Sequence, residues 1–213
     1  MCDIPDLQYV PLGVCCSPAA VLRTIELRKF ALPFDWTIAT PAQIATCVLD
    51  DFRRFHSNVN PITPNRVADE YGIVFPHDYP TYQPEITEDL GAPCYTEKQI
   101  VPNWRDFQKD VLEKYARRIA RFRDIMRGTD PVVVLHRGHP SDVAILKGAI
   151  EKAYGRRDVP FVVATKAATE DAPGVYFCDP ERTGRWNDEH IWTSAVEKAK
   201  KHIAETRAKN ASP

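Results

Sequence analysis

Two adjacent thiols, Cys15 and Cys16, follow a short apolar run, Tyr9–Val14, and stand directly before Ser17-Pro18. A serine then a proline is a helix-start signal, with Ser17 expected as the cap and Pro18 in the first turn. Thiols placed there meet backbone N–H groups that favour an anion, which lowers a thiol's pKa and offers half of an oxyanion hole. The alternative is that both cysteines pack as small apolar residues at a tight turn. Spacing leaves open which of the two faces a cleft.

Other reactive types fall after apolar runs. His77-Asp78 lies in a proline-flanked tetrapeptide, and an imidazole at a strand end can act as a general base. The alternative is a loop histidine capping local backbone. Asp78 is a poor orienter for His77, since neighbouring side chains on extended backbone point apart; Asp35 or Asp179 would have to fill that role. His136-Arg137-Gly138-His139 offers two histidines three apart, but no carboxylate or cysteine stands at ligand spacing, so no metal is expected. Arg137 is a candidate clamp for a substrate anion or, alternatively, a surface ion-pair partner.

These residues need elements to hold them. The helix after Ser17 carries Val21, Leu22 and Ile25 and is expected to continue towards Leu27. A second helix starts with Thr40 as cap and Pro41 in its first turn, with Ile44, Val48, Phe52 and Phe55 on one face. Residues 58–102 are proline-rich and poor in periodicity, and are expected to form a long ordered loop with one apolar run, Gly72–Pro76. Phe107, Val111, Tyr115, Ile119, Phe122 and Met126 then recur at spacings of three and four, the mark of an amphipathic helix ending at Gly128. Strand Val132–Leu135, a helix from Ser141 to Gly155 and strand Phe161–Ala164 form a βαβ unit with parallel strands. Strand Val175–Cys178 and a helix near His190–Ala208 follow, and residues 209–213 are expected to fray. The fold expected is one α/β domain over residues 1–213, with a central, largely parallel sheet flanked by helices. In such sheets sites form beyond the carboxyl ends of strands, where Cys15, Cys16, His136, Arg137, Thr165, Lys166 and Asp179 fall.

Bulk properties narrow the partners. The 213 residues carry 28 basic and 29 acidic side chains, a formal net charge of -1, so no global attraction to nucleic acid or an acidic membrane is expected. The basic face Arg117, Arg118, Arg121, Arg123 and Arg127 is offset by Asp106, Asp110, Glu113 and Asp124. No apolar run approaches the roughly 18 residues of a spanning helix. Met1–Asp6 lacks the basic start of a signal peptide. The six cysteines form no CxxC pair, and reduced thiols in a cytoplasm are expected. The absence of GxGxxG and GxxxxGK[ST] counts against the common phosphate cradles.

Leu12-Gly13-Val14-Cys15-Cys16, then Leu22, Leu27-Arg28 and Pro33-Phe34-Asp35-Trp36, resembles the opening of the DUF1796 proteins, a bacterial and viral family of papain-like cysteine peptidases. That family's pattern runs LG-x-x-C, LR and PFDW, then a His-Asp pair, a helix and an apolar strand ending in arginine. The register implies the family cysteine at Cys16, the His-Asp pair at His77-Asp78 and the arginine at Arg137, over roughly residues 9–165. The reading that follows is a thiol-dependent hydrolase or acyltransferase with Cys16 as nucleophile, His77 as base and Asp35 as orienting carboxylate. Arg137, Trp36, Tyr79 and Asp78 would contact a peptide, glycan or other small substrate, without a cofactor. The alternative is a non-catalytic α/β protein binding a nucleotide, sugar or other anionic ligand at its strand ends.

Overall fold

The computed structural model describes residues 4–84, 98–167, 169–179 and 189–211. In chain order these form β1 (Gln8–Pro11), α1 (Ser17–Thr24), α2 (Pro41–Leu49), β2 (Asn60–Thr63), β3 (Arg66–Ala68), β4 (Val74–Phe75), β5 (Thr81–Tyr82) and β6 (Gln99–Ile100). A 3₁₀ turn (Trp104–Phe107) leads into α3 (Gln108–Arg127), followed by β7 (Val132–Arg137), α4 (Asp142–Tyr154), β8 (Phe161–Ala164), β9 (Val175–Cys178) and α5 (Glu189–Ala211).

Four strands make a sheet in the order β1-β7-β8-β9, every pair parallel. The expected α/β fold with a parallel sheet and a C-terminal βαβ unit, β7-α4-β8, is the fold observed. Both faces are covered, which is why these strands read as continuous apolar runs rather than alternating ones. Alternation still sorts them. Val132 and Val134 of β7 pack with Val10, Phe161 and Val163 against α2, α3 and α4. Val133 and Leu135 pack with Val162 and Ala164 against α1 and α5, around the fully buried Trp192. The first layer also holds Phe34, Phe52, Phe55, Phe75 and Phe122, joined edge to face at centroid distances of 5.3–6.1 Å.

Local signals explain most ends. Thr40 and Gln43 form a reciprocal capping box at α2, Thr40 Oγ1 accepting from Gln43 N (3.2 Å) and Gln43 Oε1 from Thr40 N (2.7 Å). Gly155 ends α4 in the left-handed conformation (φ 72°), as a C-terminal glycine does.

Three expectations about elements need correction. α1 stops at Thr24 rather than reaching Leu27, because Glu26 turns left-handed (φ 58°). α2 stops at Leu49, so Phe52 and Phe55 reach the core from a chain of turns instead of the helix face. Asp51 and Phe52 take positive φ there, which a helix cannot. The stretch expected as loop holds an antiparallel three-stranded sheet, β2-β3-β4, and an antiparallel pair, β5-β6. Strands of two to four residues are too short to show period two, so only packing defines them. Residues 85–97 of that stretch lie outside the described residues.

Candidate active site

The thiols sit where β1 turns into α1. Pairing of β1 with β7 continues one residue beyond the strand, Leu12 N donating to Leu135 O (2.8 Å). Gly13 then closes the turn: a Cβ there would stand 2.7 Å from the Cys15 carbonyl and 2.8 Å from Pro18 Cγ, too close for any other residue. The helix begins one residue earlier than expected. Cys16 occupies the cap position (φ −71°, ψ −10°) and Ser17 is inside the helix. Freed from capping, the buried Ser17 hydroxyl lies 3.4 Å from Cys15 Sγ and accepts from Arg137 Nη1 at 3.0 Å. The same Arg137 nitrogen is 3.2 Å from Cys15 Sγ. Cys15 and Cys16 are both half-buried. Of these two, only Cys15 has a hydrogen-bond partner for its thiol among the described residues.

Beneath the turn, His136 is fully buried. Its Nδ1 contacts the Leu12 carbonyl and its Nε2 lies 3.1 Å from Asp142 Oδ2. Each ring nitrogen therefore faces an oxygen of the chain. Asp142 also accepts from His139 N (2.8 Å), which ties the start of α4 to the end of β7. Gly138 is required here as well, since a Cβ would collide with both the His136 ring and the Asp142 carboxylate. With both nitrogens engaged and no exposed surface, His136 positions the Leu12 carbonyl and hence the thiol turn.

A second polar group lies around Trp36. Asp35 is buried, and its Oδ2 accepts from Arg28 Nε (2.9 Å) and Nη2 (2.6 Å). Burial raises the Asp35 pKa, with the Arg28 guanidinium pulling the other way. The guanidinium groups of Arg28 and Arg23 lie 5.8 and 5.6 Å from the Trp36 ring centre. The exposed His77 imidazole meets that ring edge-on at 6.4 Å. Asp78 turns the other way, accepting from Tyr115 Oη (2.7 Å) and from Lys114 Nζ. Tyr79 is buried, its hydroxyl 3.4 Å from His56 Nε2 and its ring 4.9 Å from Trp104.

The structure therefore joins Arg137 to the thiol turn, His77 to Trp36 and Asp35 to Arg28. Among the described residues no hydrogen bond links Cys16 to His77 or His77 to Asp35. Sequence reasoning placed Arg137 and the cysteines separately on strand ends; it missed that Arg137 contacts Cys15 and that His136 clamps Leu12. Pairing of β1 with β7 would have revealed both, because it sets Pro11 opposite Leu135. That pairing joins segments more than a hundred residues apart and leaves no local mark.

The remaining described thiols are screened from chemistry. Burial pushes Cys178 up to about 12, and Cys47, buried beside Asp69 and Asp50, is raised further. Among the described residues no group of His, Cys, Asp or Glu is arranged to hold a metal ion, and no helix is long and apolar enough to cross a membrane.

Residues 7–142 match the family described as a putative papain-like cysteine peptidase, DUF1796. The chain belongs to that family. The match takes in β1, the thiol turn, Asp35-Trp36, His77-Asp78, α3 and β7, and ends at the first residue of α4. β8, β9 and α5 lie beyond it. No curated protein and no solved structure matches the chain.

Proposed function

We propose that this family member is a thiol-dependent hydrolase or acyltransferase with Cys16 as nucleophile and His77 as base. The observation that carries the reading is the Cys16 thiol at the cap position of α1, half-buried and, among the described residues, without a hydrogen-bond partner. Cys15 is held by Ser17 and Arg137, while Cys47 and Cys178 are buried.

In this mechanism His77 takes the Cys16 proton and the thiolate attacks an acyl carbon. The tetrahedral oxyanion is met by backbone N–H groups at the start of α1. The leaving group departs with the proton from His77, and water or another acceptor then releases the acyl group from sulfur. His77 and Cys16 must come together in the substrate complex, where catalytic contacts commonly tighten. Asp35 acts through intermediates: it fixes Arg28, Arg28 lies over Trp36, and Trp36 supports His77. Arg137 meets a substrate anion and Trp36 flanks the substrate, while Tyr79, buried against His56 and Trp104, and Asp78, held by Lys114 and Tyr115, are supports rather than substrate contacts.

Iodoacetamide labelling near neutral pH, read residue by residue, tests this. Cys16 should label fastest, and Cys15→Ala should leave that rate intact at a stability cost of about 1 kcal/mol. Faster labelling of Cys15 than of Cys16 would overturn the choice of nucleophile. A pH profile for Cys16 labelling that is the same in wild type and His77→Ala would remove His77 as base.

A further inference from the structure

α3 carries three side chains that serve the loops on which His77 and Trp36 stand. Lys114 and Arg118 are four apart and share one side of the helix. The Lys114 ammonium and the Arg118 guanidinium each lie 5.2 Å from the centre of the Tyr115 ring. Tyr115 itself is buried among Phe55, His56 and Phe75, which gives its hydroxyl a fixed place.

Two carboxylates are tied to this helix. Asp78, its side chain only 5% exposed, accepts from Tyr115 Oη (2.7 Å) and from Lys114 Nζ. Burial and the Asp78 charge raise the Tyr115 pKa well above its ordinary value, so the phenol stays a donor to that carboxylate. His77, one residue earlier, is exposed and meets Trp36 edge-on at 6.4 Å. Consecutive Cα atoms are about 3.8 Å apart, so a clamp on Asp78 is also a clamp on the backbone of His77. Asp35, one residue before Trp36, is the second carboxylate. Its Oδ2 is taken by Arg28, while Asp35 Oδ1 and Arg118 Nη1 are both buried without a hydrogen-bond partner among the described residues. Burial raises the Asp35 pKa, and the charges of Arg28 and Arg118 oppose it. A buried guanidinium nitrogen and a buried carboxylate oxygen are costly when far apart, which favours keeping the two charges close.

We propose that Lys114, Tyr115 and Arg118 are positioning residues that set the His77 imidazole against the Trp36 indole. Lys114 and Tyr115 hold His77 through Asp78, and Arg118 holds Trp36 through Asp35. Little more than one turn of α3 thus fixes two loop residues that come from different parts of the chain. The positioning itself is independent of the thiol; only its use, to present His77 as base to Cys16, rests on the function proposed above.

Nuclear magnetic resonance of the full chain reads the His77 ring, identified by its loss in His77→Gln, and the Trp36 indole N–H. Tyr115→Phe and Lys114→Gln should each move the His77 ring signals towards those of Trp36→Leu, which lacks the indole ring current. Lys114→Arg, which keeps the charge, should leave them as in wild type. Arg118→Gln should move the Trp36 indole signal. Ile119→Val, a core change on the same helix, should lower stability and leave both signals in place. Tyr115→Phe should also slow Cys16 labelling near neutral pH about tenfold, since a reacting group displaced by about 1 Å loses much of its effect. A labelling profile that His77→Ala does not alter would remove the base, and the His77 ring signals would then decide the positioning alone. The inference is overturned if those signals stay at their wild-type places in both Tyr115→Phe and Lys114→Gln, folded by circular dichroism. It is overturned too if Ile119→Val moves them as far. Lys114 is partly exposed, so Lys114→Gln carries the test should Tyr115→Phe fail to fold. An unmoved Trp36 signal in Arg118→Gln removes Arg118 from the set.

Discussion

At the thiol turn, polar side chains meet at the edge of solvent: Cys15, Cys16 and Arg137 are all half-buried. On the other face of the sheet, Asp35 and Asp69 are buried; Asp35 Oδ2 is held by Arg28, and both oxygens of Asp69 are used within the chain. Asp69 Oδ1 accepts from Tyr71 N and Ile73 N (3.0 Å each) and Oδ2 from His56 N (2.9 Å). It thereby organises a segment that includes left-handed His56 and Asn58 and could not form a ladder. The two regions use ionisable groups in opposite ways. A carboxylate surrounded by backbone donors has its hydrogen bonds filled and fixes a chain path, whereas the half-exposed Cys16 thiol at a helix start keeps its sulfur accessible. Polarity buried in the core marks structure in this chain, and on the proposed function the half-exposed polar groups of the strand-end rim are the ones that act on substrate.

The largest test of that contrast is Asp69→Ala. It leaves three buried N–H groups without an acceptor and should lower stability by about 3 kcal/mol or more, read by urea unfolding. Cys16 labelling in the protein that remains folded should be unchanged. A loss below about 1 kcal/mol would show that Asp69 does not organise the segment.

Asp35→Asn comes next, at about 2 kcal/mol, because it removes the charge that pairs with Arg28 while keeping the shape. A fold role predicts a lowered melting temperature. If the melt stays put while turnover or Cys16 labelling falls, Asp35 belongs with the reactive rim.

The smallest effect is a slope. Burial is the main cause holding the His56 imidazole down at about 4. The unfolded chain takes up that proton first, so stability falls as pH drops from about 6.5 towards 4 and is retained above it. Burial pushes Asp69 up to about 6, which acts with the opposite sign over an overlapping window. Asp78 and Lys114 also act on His56 and are retained in the comparison. The difference between wild type and His56→Asn therefore isolates His56, and asparagine tolerates the left-handed backbone there. The variant should lose less stability on acidification; parallel slopes would show that His56 does not carry the acid sensitivity.

Where an element has enough turns to repeat, its residues announced it. Phe107 to Met126 spans more than five helical turns, and α3 runs from Gln108 to Arg127. Ser141 and Gly155 bracket α4 as expected. Thr40 marked the start of α2, but nothing in Ile44, Val48, Phe52 and Phe55 distinguished a continued helix from turns that bring the same rings into the same core. That outcome was decided by edge-to-face packing of Phe52 and Phe55 on Phe34 and Phe122, contacts between distant segments. β2 to β6 lacked the length to show a period.

The candidate site divides in the same way. Residue types and order alone determined that thiols, an imidazole and an arginine fall after apolar runs, and the LG-x-x-C and PFDW pattern carried the family. Only the tertiary structure decided the distant partners: Arg137 to Cys15 across 122 residues and His136 to Leu12 across 124. The physical reason is that periodicity and capping act within a few turns of chain, while parallel pairing is chosen by burial on both faces of the sheet. Each strand here reads as the same apolar run, so only the packed whole selects which carboxyl ends stand side by side.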